Sequence, residues 1–374
     1  MAKSINDYGN YDIVTNVKIN YVQKLPFPVV SICHLGIDMA DNLTNLLNNS
    51  LIECNFNKVD CNLENDFEYY EDSNYGKCLR FNSPKNDMVT KYTYSGGEFN
   101  AFYSSFRLLN SSISDSMQEN GLIVFLSNNE IIDSNYVEGI KLSPGFSFNV
   151  IINKYTISRQ PKPYSNCIDD LTRVESYDSE CYRRTINGYK NVSYKYSFCS
   201  NMCLQKFIGD SCNIQIEELG PVYYKNKTLV ENMSDDYLEC LTKNVILFKS
   251  SSEVLQICDC PLECDTSGFT YSLSFAQLSK AYFLNKMKKM NEDFKYKNDE
   301  YLNYISVVSF KIYYMDLKET LIIHDIKTQL ADLIANLGGT LGLFLGLSFL
   351  SFIEIFEILF QSIIIIHKNK NQNM

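Results

Sequence analysis

The longest apolar stretch of the chain lies near its C-terminus, from Leu337 to Ile366. These 30 residues carry only two charges. As one straight helix they would extend about 45 Å, whereas the hydrocarbon core of a bilayer is about 30 Å thick. We therefore expect a membrane helix that tilts, extends beyond the bilayer or breaks. The basic stretch His367–Lys370 predicts a cytoplasmic C-terminus, which places the rest of the chain outside the cell.

Shorter segments show the extended or alternating apolar and polar pattern of half-buried strands. These segments are Tyr11–Ile19, Glu68–Phe81, Leu122–Leu126, Phe146–Ile157, Phe269–Phe275 and Tyr304–Met315. We expect Tyr11–Ile19 to lead out of the membrane and the others to form one sheet. Helical periodicity marks Ser193–Phe207 and Asp235–Phe248, and Ala276–Asp293 reads as an amphipathic, lysine-rich surface helix. The pattern predicts an α+β extracellular domain followed by one transmembrane helix.

The number and spacing of the cysteines indicate where in the cell the protein lies. The chain has 13 cysteines, most of them between Cys167 and Cys264. A zinc site is the competing interpretation, but the chain has only three histidines and none lies in this cluster. Six glycosylation sequons accompany the cysteines, at Asn42, Asn48, Asn110, Asn191, Asn226 and Asn232. Together they favour an oxidising, extracellular location and a disulfide-bonded glycoprotein. The odd number of cysteines leaves at least one thiol outside intramolecular pairs.

Small and polar residues interrupt the apolar stretch at regular spacings. Gly338, Gly342 and Gly346 recur every four residues, which lets helices approach closely. Polar side chains share roughly one helical face, at Ser351, Glu354, Glu357 and Gln361. A carboxylate inside a bilayer costs about 3 kcal/mol on insertion scales, and the stretch holds no Lys or Arg to pair with it. A ring of such glutamates around a pore would attract cations. Simple helix packing in a membrane anchor is the alternative.

Composition excludes several classes of function. The 34 basic residues are outnumbered by 44 acidic ones, which argues against a nucleic-acid partner. The histidines, at positions 34, 324 and 367, are scattered, and neither a G-x-S-x-G elbow nor a P-loop is present. We therefore expect no enzymatic activity, no metal site and no cofactor.

Four motifs resemble segments of one known family. Gly338–Ser348, followed by two glutamates, resembles the second transmembrane helix of the epithelial sodium channel/degenerin/acid-sensing ion channel family. Phe27–Cys33 is similar to that family's FPAVTIC segment, Tyr75–Asn82 to its YGKCYTFN segment, and Ser143–Phe146 to its APGF strand entry. The resemblance extends from Tyr11 to His367.

The resemblance implies a hand-like, disulfide-rich extracellular domain with a β-sheet palm, a helical thumb and a reduced finger. It implies a plasma-membrane channel that amiloride blocks, with Na⁺ as the permeant ion and membrane lipid around it. Three subunits, identical or different, would form the channel. The expected divisions are wrist segment and first strand (1–24), palm with reduced finger and β-ball (25–166), thumb (167–264), knuckle helix and returning strands (265–334), pore helix (335–366) and cytoplasmic tail (367–374).

The family's functional positions carry over to this sequence residue by residue. Gly346, Leu347 and Ser348 match the selectivity filter. Ala335, beside Asn336, matches the gate position, where bulky residues hold family members open. Glu354 and Glu357 match the acidic cytoplasmic end of the pore.

The resemblance also implies a disulfide pattern. The implied pairs are Cys33–Cys78, Cys54–Cys61, Cys167–Cys264, Cys199–Cys260, Cys203–Cys258 and Cys212–Cys240. Cys181 is left over, and we expect a buried free thiol rather than an intersubunit bridge. Tyr164 takes the place of a tryptophan that packs at the family's wrist, since this chain has no Trp. Its partner would be Tyr8 or Tyr11; an ordinary exposed loop tyrosine is the alternative.

Two departures from the family limit what carries over. Only 20 residues separate Cys33 from Cys54, so the finger is short and we do not predict proton gating. A peptide, a mechanical tether or constitutive opening remain as stimuli. The polar stretch Met1–Asn16 is not a signal peptide, and no first membrane helix precedes it, so we expect a truncated isoform or gene model. A non-conducting, single-span regulatory or adhesion protein is therefore the alternative function.

Overall fold

The computed structural model describes residues 2–35, 50–72, 75–83, 90–108, 119–128, 139–188, 194–215, 223, 228–229, 235–251, 258–279, 281, 307–345 and 349–372. The chain divides into two compact units. The first comprises Met1–Asn16, Gln160–Ser165 and His324–Met374. The second comprises Val17–Arg159 and Asn166–Ile323.

The largest sheet has seven strands. They are β1 (Ile13–Tyr21), β4 (Leu51–Phe56), β5 (Val59–Asp60), β9 (Phe102–Arg107), β12 (Phe146–Ser158), β17 (Asp265–Gln277) and β18 (Val307–Ile326). The order is β17-β12-β18-β9-β4-β5, and β1 also pairs with β18. β12 runs antiparallel to β17 and parallel to β18. The expected strands Phe146–Ile157, Phe269–Phe275 and Tyr304–Met315 correspond to β12, β17 and β18, and the last continues eleven residues further, to Ile326.

β12 and β18 are neighbours in this sheet, and each buries one face. Phe148, Val150 and Ile152 of β12 are buried, and the residues between them are only partly buried. Phe310 and Ile312 of β18 are buried beside them. Because side chains alternate across a strand, these residues cover one face of the sheet with apolar groups.

A second sheet has five strands. They are β3 (Val29–Leu35), β6 (Phe67–Asp72), β7 (Gly76–Phe81), β10 (Gly121–Ser127) and β11 (Ile140–Leu142), in the order β11-β10-β3-β7-β6. Here the sequence prediction was wrong in two respects. Glu68–Phe81 is not one strand but the antiparallel pair β6 and β7, and this pair and β10 lie outside the seven-stranded sheet. Alternation shows which face of a strand is buried, but it does not identify the strand's neighbour.

Aromatic rings fill the core that both sheets share. Phe81 of β7 stacks on Phe102 of β9, with ring centroids 4.0 Å apart. Phe27 meets Phe56 of β4 edge to face at 4.9 Å. Burying several large rings in one cluster is a major source of the stability of this unit.

One ion pair is buried in the five-stranded sheet. Glu68 and Arg80 lie directly opposite each other on β6 and β7, with nitrogen and oxygen 3.4 Å apart. Arg80 also donates to the Ser31 hydroxyl and lies 3.8 Å from the ring centre of Tyr70. A buried charge is strongly destabilising when its partner is removed, so the pair favours one register of the hairpin.

Helices and disulfides dominate the segment between Cys167 and Cys264. The helices are α3 (Glu180–Gly188), α4 (Tyr196–Cys212) and α5 (Asp235–Ser250); a short helix, α2 (Leu63–Asp66), lies outside this segment. α4 and α5 correspond to the two helices expected from periodicity, whereas α3 was not predicted. Three two-stranded pairs complete the described strands: β2 (Leu25–Pro26) with β8 (Tyr92–Thr93), β13 (Cys167–Ile168) with β16 (Leu262–Glu263), and β14 (Ile214–Gln215) with β15 (Thr228–Leu229).

The first unit contains the two ends of the chain. Its helices are α1 (Ala2–Gly9), α6 (Leu330–Leu345) and α7 (Phe349–Gln372), and α1 contacts α6. The expected surface helix at Ala276–Asp293 began too early, because Ala276 and Gln277 end β17. Leu278 and Ser279 are not helical, whereas Ala281 is. Residues 280 and 282–293 of that prediction, and residues 36–49 of the reduced finger expected between Cys33 and Cys54, lie outside the described residues.

Candidate functional site

The expected gate residues lie on α6. At its start, the Asp332 carboxylate accepts a hydrogen bond from the Gln329 backbone N–H at 3.0 Å, which satisfies one free donor of the helix N-terminus. Ala335 and Asn336 follow one turn later and are exposed. The Thr340 hydroxyl donates to the Asn336 carbonyl at 2.6 Å. In the single chain, the side chains at the gate position are therefore available for contacts outside it.

The expected filter, Gly346, Leu347 and Ser348, lies outside the described residues. It falls between the end of α6 and the start of α7. On α7, Glu354 and Glu357 are exposed, and the Gln361 side-chain amide donates to Glu357 at 3.2 Å. Within the described part of the chain, no helix is both long and apolar enough to cross a membrane.

The structure selects one of the two expected partners of Tyr164. The rings of Tyr11 and Tyr164 meet edge to face, with centroids 5.5 Å apart. Tyr8 lies in α1, and its backbone carbonyl accepts a hydrogen bond from the Tyr11 N–H at 3.4 Å. Among the described residues, the Tyr8 ring makes no aromatic contact. Tyr11 has a positive φ of 54°, which turns the chain between α1 and β1.

Two polar contacts beside this ring pair were not predicted. The Lys327 ammonium lies 2.9 Å from the Asp12 carboxylate, and the Lys327 backbone N–H donates to the Asp12 carbonyl. The Asn16 side-chain amide donates to Asp325 at 2.6 Å. Asp12 and Lys327 are far apart in sequence, so no local pattern connects them. The contacts hold the start of β1 to the segment that enters α6.

Electrostatics around Lys327 favour its charged form. The hydrogen bond to Asp12 raises the pKa of the lysine, and the charges of Asp12 and Asp7 act in the same direction. Both side chains of the pair are about half exposed, at 49% and 41%. Exposed ion pairs contribute little to stability, so this pair adds little to the stability of the unit.

Six disulfides join the same cysteine pairs that the family resemblance implies. α4 supplies three of the cysteines, Cys199, Cys203 and Cys212, and the last bridges to Cys240 on α5. Cys181 is free and buried in α3, and burial raises the pKa of its thiol to about 11. The six sequon asparagines all lie outside the described residues.

These features define a disulfide-rich α+β domain attached to a small unit that carries the terminal helices. A family model described as amiloride-sensitive sodium channel matches residues 36–358. The chain therefore belongs to the amiloride-sensitive sodium channel family, whose members are ion channels and not enzymes.

Curated relatives are similar over most of this chain. The FMRFamide-activated amiloride-sensitive sodium channel of Cornu aspersum is 23% identical and covers 87% of the chain and 62% of its own length. The epithelial sodium channel subunit gamma of Pelodiscus sinensis is 24% identical and covers 91% and 49%. The acid-sensing ion channel 1B of Danio rerio is 23% identical and covers 85% and 53%. The chain thus spans between 49% and 62% of the length of these relatives.

A solved structure, the cryo-EM structure of a proton-activated chloride channel, aligns with 96% of this chain and 90% of its own at 9% identity. The TM-score of 0.39 is too low to support an argument about fold or function.

Proposed function

We propose that this chain is a subunit of a trimeric, amiloride-sensitive, sodium-selective channel of the plasma membrane, opened by an extracellular stimulus. The observation that carries the proposal is the family match over residues 36–358, which includes α6 and the first part of α7. The disulfide-bonded domain would lie outside the cell and the C-terminus inside.

The proposed pore follows the apolar stretch Leu337–Ile366, surrounded by membrane lipid. Gly346, Leu347 and Ser348 would form the filter, where backbone carbonyls and the serine hydroxyl replace part of the water around Na⁺. Ala335 would form the gate, because a methyl side chain lets neighbouring helices approach closely. The exposure of Ala335 and Asn336 in the single chain supports this assignment.

Glu354 and Glu357 would lie at the cytoplasmic end of the pore. Both are exposed on α7, three residues apart, so they share one face of the helix. A ring of carboxylates lowers the energy of a cation in its centre and raises that of an anion. These residues would therefore favour cation conduction.

The contacts in the first unit supply a proposed coupling element. The Tyr11–Tyr164 ring pair and the Asp12–Lys327 ion pair both involve the segment that precedes β1. Lys327 comes three residues before α6 begins. A displacement of this segment would therefore act on α6 and on the gate. The stimulus is proposed only as a class: a peptide, as the name of the Cornu aspersum relative indicates for that channel, a force, or constitutive opening.

Current recording tests the proposal. The chain, preceded by the first membrane segment of a curated relative, is expressed in oocytes that lack other sodium channels, and surface expression is verified. We expect an inward current that amiloride blocks and that vanishes when Na⁺ is replaced by N-methyl-D-glucamine. Glu354→Gln with Glu357→Gln should reduce the current, whereas Lys18→Met, on exposed β1, should leave it unchanged.

A chain that reaches the surface but carries no current under peptide or stretch would contradict the proposal. If the same chain lowers the current of a co-expressed relative, the result would support the non-conducting regulatory alternative.

A further inference from the structure

A cavity of about 580 Å³ opens on the second unit, and none of the residues that line it is among those assigned to the pore. Its wall is formed by the hairpin of β4 and β5, the turn before β9, and the ends of β12, β17 and β18. The volume lies within the range of about 300–1,000 Å³ that is typical of small-molecule sites. Among the described residues that line it, four are charged: Glu53, Lys58, Glu98 and Lys311.

The hairpin presents Lys58 at a position that is unusual for lysine. β4 and β5 are joined by the two residues Asn57 and Lys58, which have φ angles of 51° and 64°. Positive φ at both positions is typical of a type I′ turn, where glycine is strongly preferred at the second position. A lysine there is strained by its Cβ. Strained backbone is common at ligand-binding sites, so the strain at Lys58 makes its side chain a candidate for binding.

The hairpin that carries Lys58 is held in place by the surrounding structure. The Cys54–Cys61 disulfide closes the hairpin, and the Asn57 N–H donates to the Ala101 carbonyl at 3.3 Å. The Lys58 ammonium lies over the ring of Phe99, 2.8 Å from its centre. The Phe99 ring is 70% exposed at the cavity. The Lys58 ammonium thus covers one face of the Phe99 ring, and the rest of the ring stays exposed beside the cation.

Among the described residues, the carboxylate of Glu98 is paired with a different lysine, Lys311, so the Lys58 ammonium can pair with an anionic ligand. Glu98 accepts from Asn149 at 3.3 Å with one oxygen and pairs with Lys311 at 3.1 Å with the other. Within the part of the chain that the structure describes, no carboxylate pairs with Lys58. Glu53 also lines the cavity, so a ligand anion has to lie nearer to Lys58 than to this carboxylate.

We propose that this cavity binds a small organic carboxylate with an aromatic body. The ligand carboxylate pairs with Lys58, and its ring packs against the exposed part of Phe99. A free carboxylic acid and the C-terminus of a peptide share this chemistry. The proposal concerns binding to the second unit and does not depend on whether the chain conducts ions.

Calorimetric titration of the full chain, purified in detergent, tests the proposal. The probes are N-acetyl-L-phenylalanine, its amide, and the peptide N-acetyl-Ala-Ala-Phe as free acid and as amide. We expect each acid to bind saturably and each amide to bind at least about tenfold more weakly, because a charge-assisted contact is lost. If N-acetyl-L-phenylalanine binds more tightly, the natural ligand is a small acid. If N-acetyl-Ala-Ala-Phe binds more tightly, the natural ligand is the C-terminus of a peptide.

Variants of Lys58 separate binding from folding. Lys58→Gly suits the turn, so the protein should melt at the same temperature or higher while binding of the acids falls at least about tenfold. Lys58→Arg should retain binding, and Lys18→Met should bind like the unmodified chain. Equal binding of acid and amide, unchanged binding by Lys58→Gly, or no saturable binding of either acid would overturn the proposal.

Discussion

Tyr11 and Tyr164 meet edge to face, with ring centroids 5.5 Å apart and ring planes at 89°. The contact joins the turn before β1 to the segment Gln160–Ser165. An aromatic pair in this geometry contributes about 0.5–1.5 kcal/mol beyond the burial of its area. Tyr164 is the residue that the family resemblance predicts in place of a wrist tryptophan, in a chain that has no Trp.

A double-mutant cycle measures this contact. Tyr11→Leu, Tyr164→Leu and the double variant should give a coupling energy of about 0.5–1.5 kcal/mol in denaturant unfolding of the full chain in detergent. Tyr8→Leu is the matched control, because no aromatic contact of Tyr8 is among those described. A coupling of Tyr8 with Tyr164 as large as that of Tyr11 would contradict the assignment.

Charge reversal tests the ion pair between Asp12 and Lys327 through its effect on channel opening. Asp12→Lys or Lys327→Asp places like charges opposite each other, so each should alter the fraction of open channels. The double variant restores opposite charges and should return the current toward that of the unmodified chain. Because the pair is exposed, melting temperature should change little in any variant. If the double variant behaves like the sum of the single variants, the pair does not couple the two segments.

Much of the fold follows from local pattern. The expected strand Phe146–Ile157 differs from β12 by one residue, and the helix expected from Asp235 begins at Asp235. The pairing of Asp12 with Lys327 could not be predicted, because residues far apart in sequence leave no local signal. Helix α3 was missed because only Cys181, Tyr182 and Thr185 are buried in it, which gives a short and weak apolar pattern.

Because the imidazole of His34 is buried, we expect the stability of the folded chain to depend on pH. It is only 7% exposed on β3, its Nδ1 lies 2.8 Å from the Leu35 carbonyl oxygen, and its Nε2 has no partner among the described atoms. Burial lowers the pKa of the imidazole to about 4, from 6.5. The unfolded chain therefore binds more protons between these values, so stability falls as pH falls from about 6.5 to 4. The loss should reach about 3 kcal/mol.

Unfolding of the full chain at pH 7.5 and pH 4.5 measures this effect. His34→Gln removes the titrating group, so the variant should lose clearly less stability on acidification than the unmodified chain. An equal loss in both proteins would show that other groups dominate the response to acid.

Cys181 should be chemically inert in the folded protein. Its thiol is buried and has a pKa of about 11, so about one thiol in a thousand is ionised at pH 8. N-ethylmaleimide should therefore modify the native chain very slowly and the denatured, unreduced chain rapidly, at one site. Cys181→Ser should show no modification in either state. Rapid labelling of the native protein would mean that the thiol is accessible.

We propose that α6 of this chain lines a cation pore. Cysteine modification at the gate tests it most directly. Ala335→Cys is expressed with the added first membrane segment, and a positively charged, membrane-impermeant methanethiosulfonate reagent is applied outside. The current should change rapidly and irreversibly in the variant but not in the unmodified chain, whose one free cysteine is buried. An unchanged current, despite biochemical evidence that the introduced thiol has reacted, would contradict the claim.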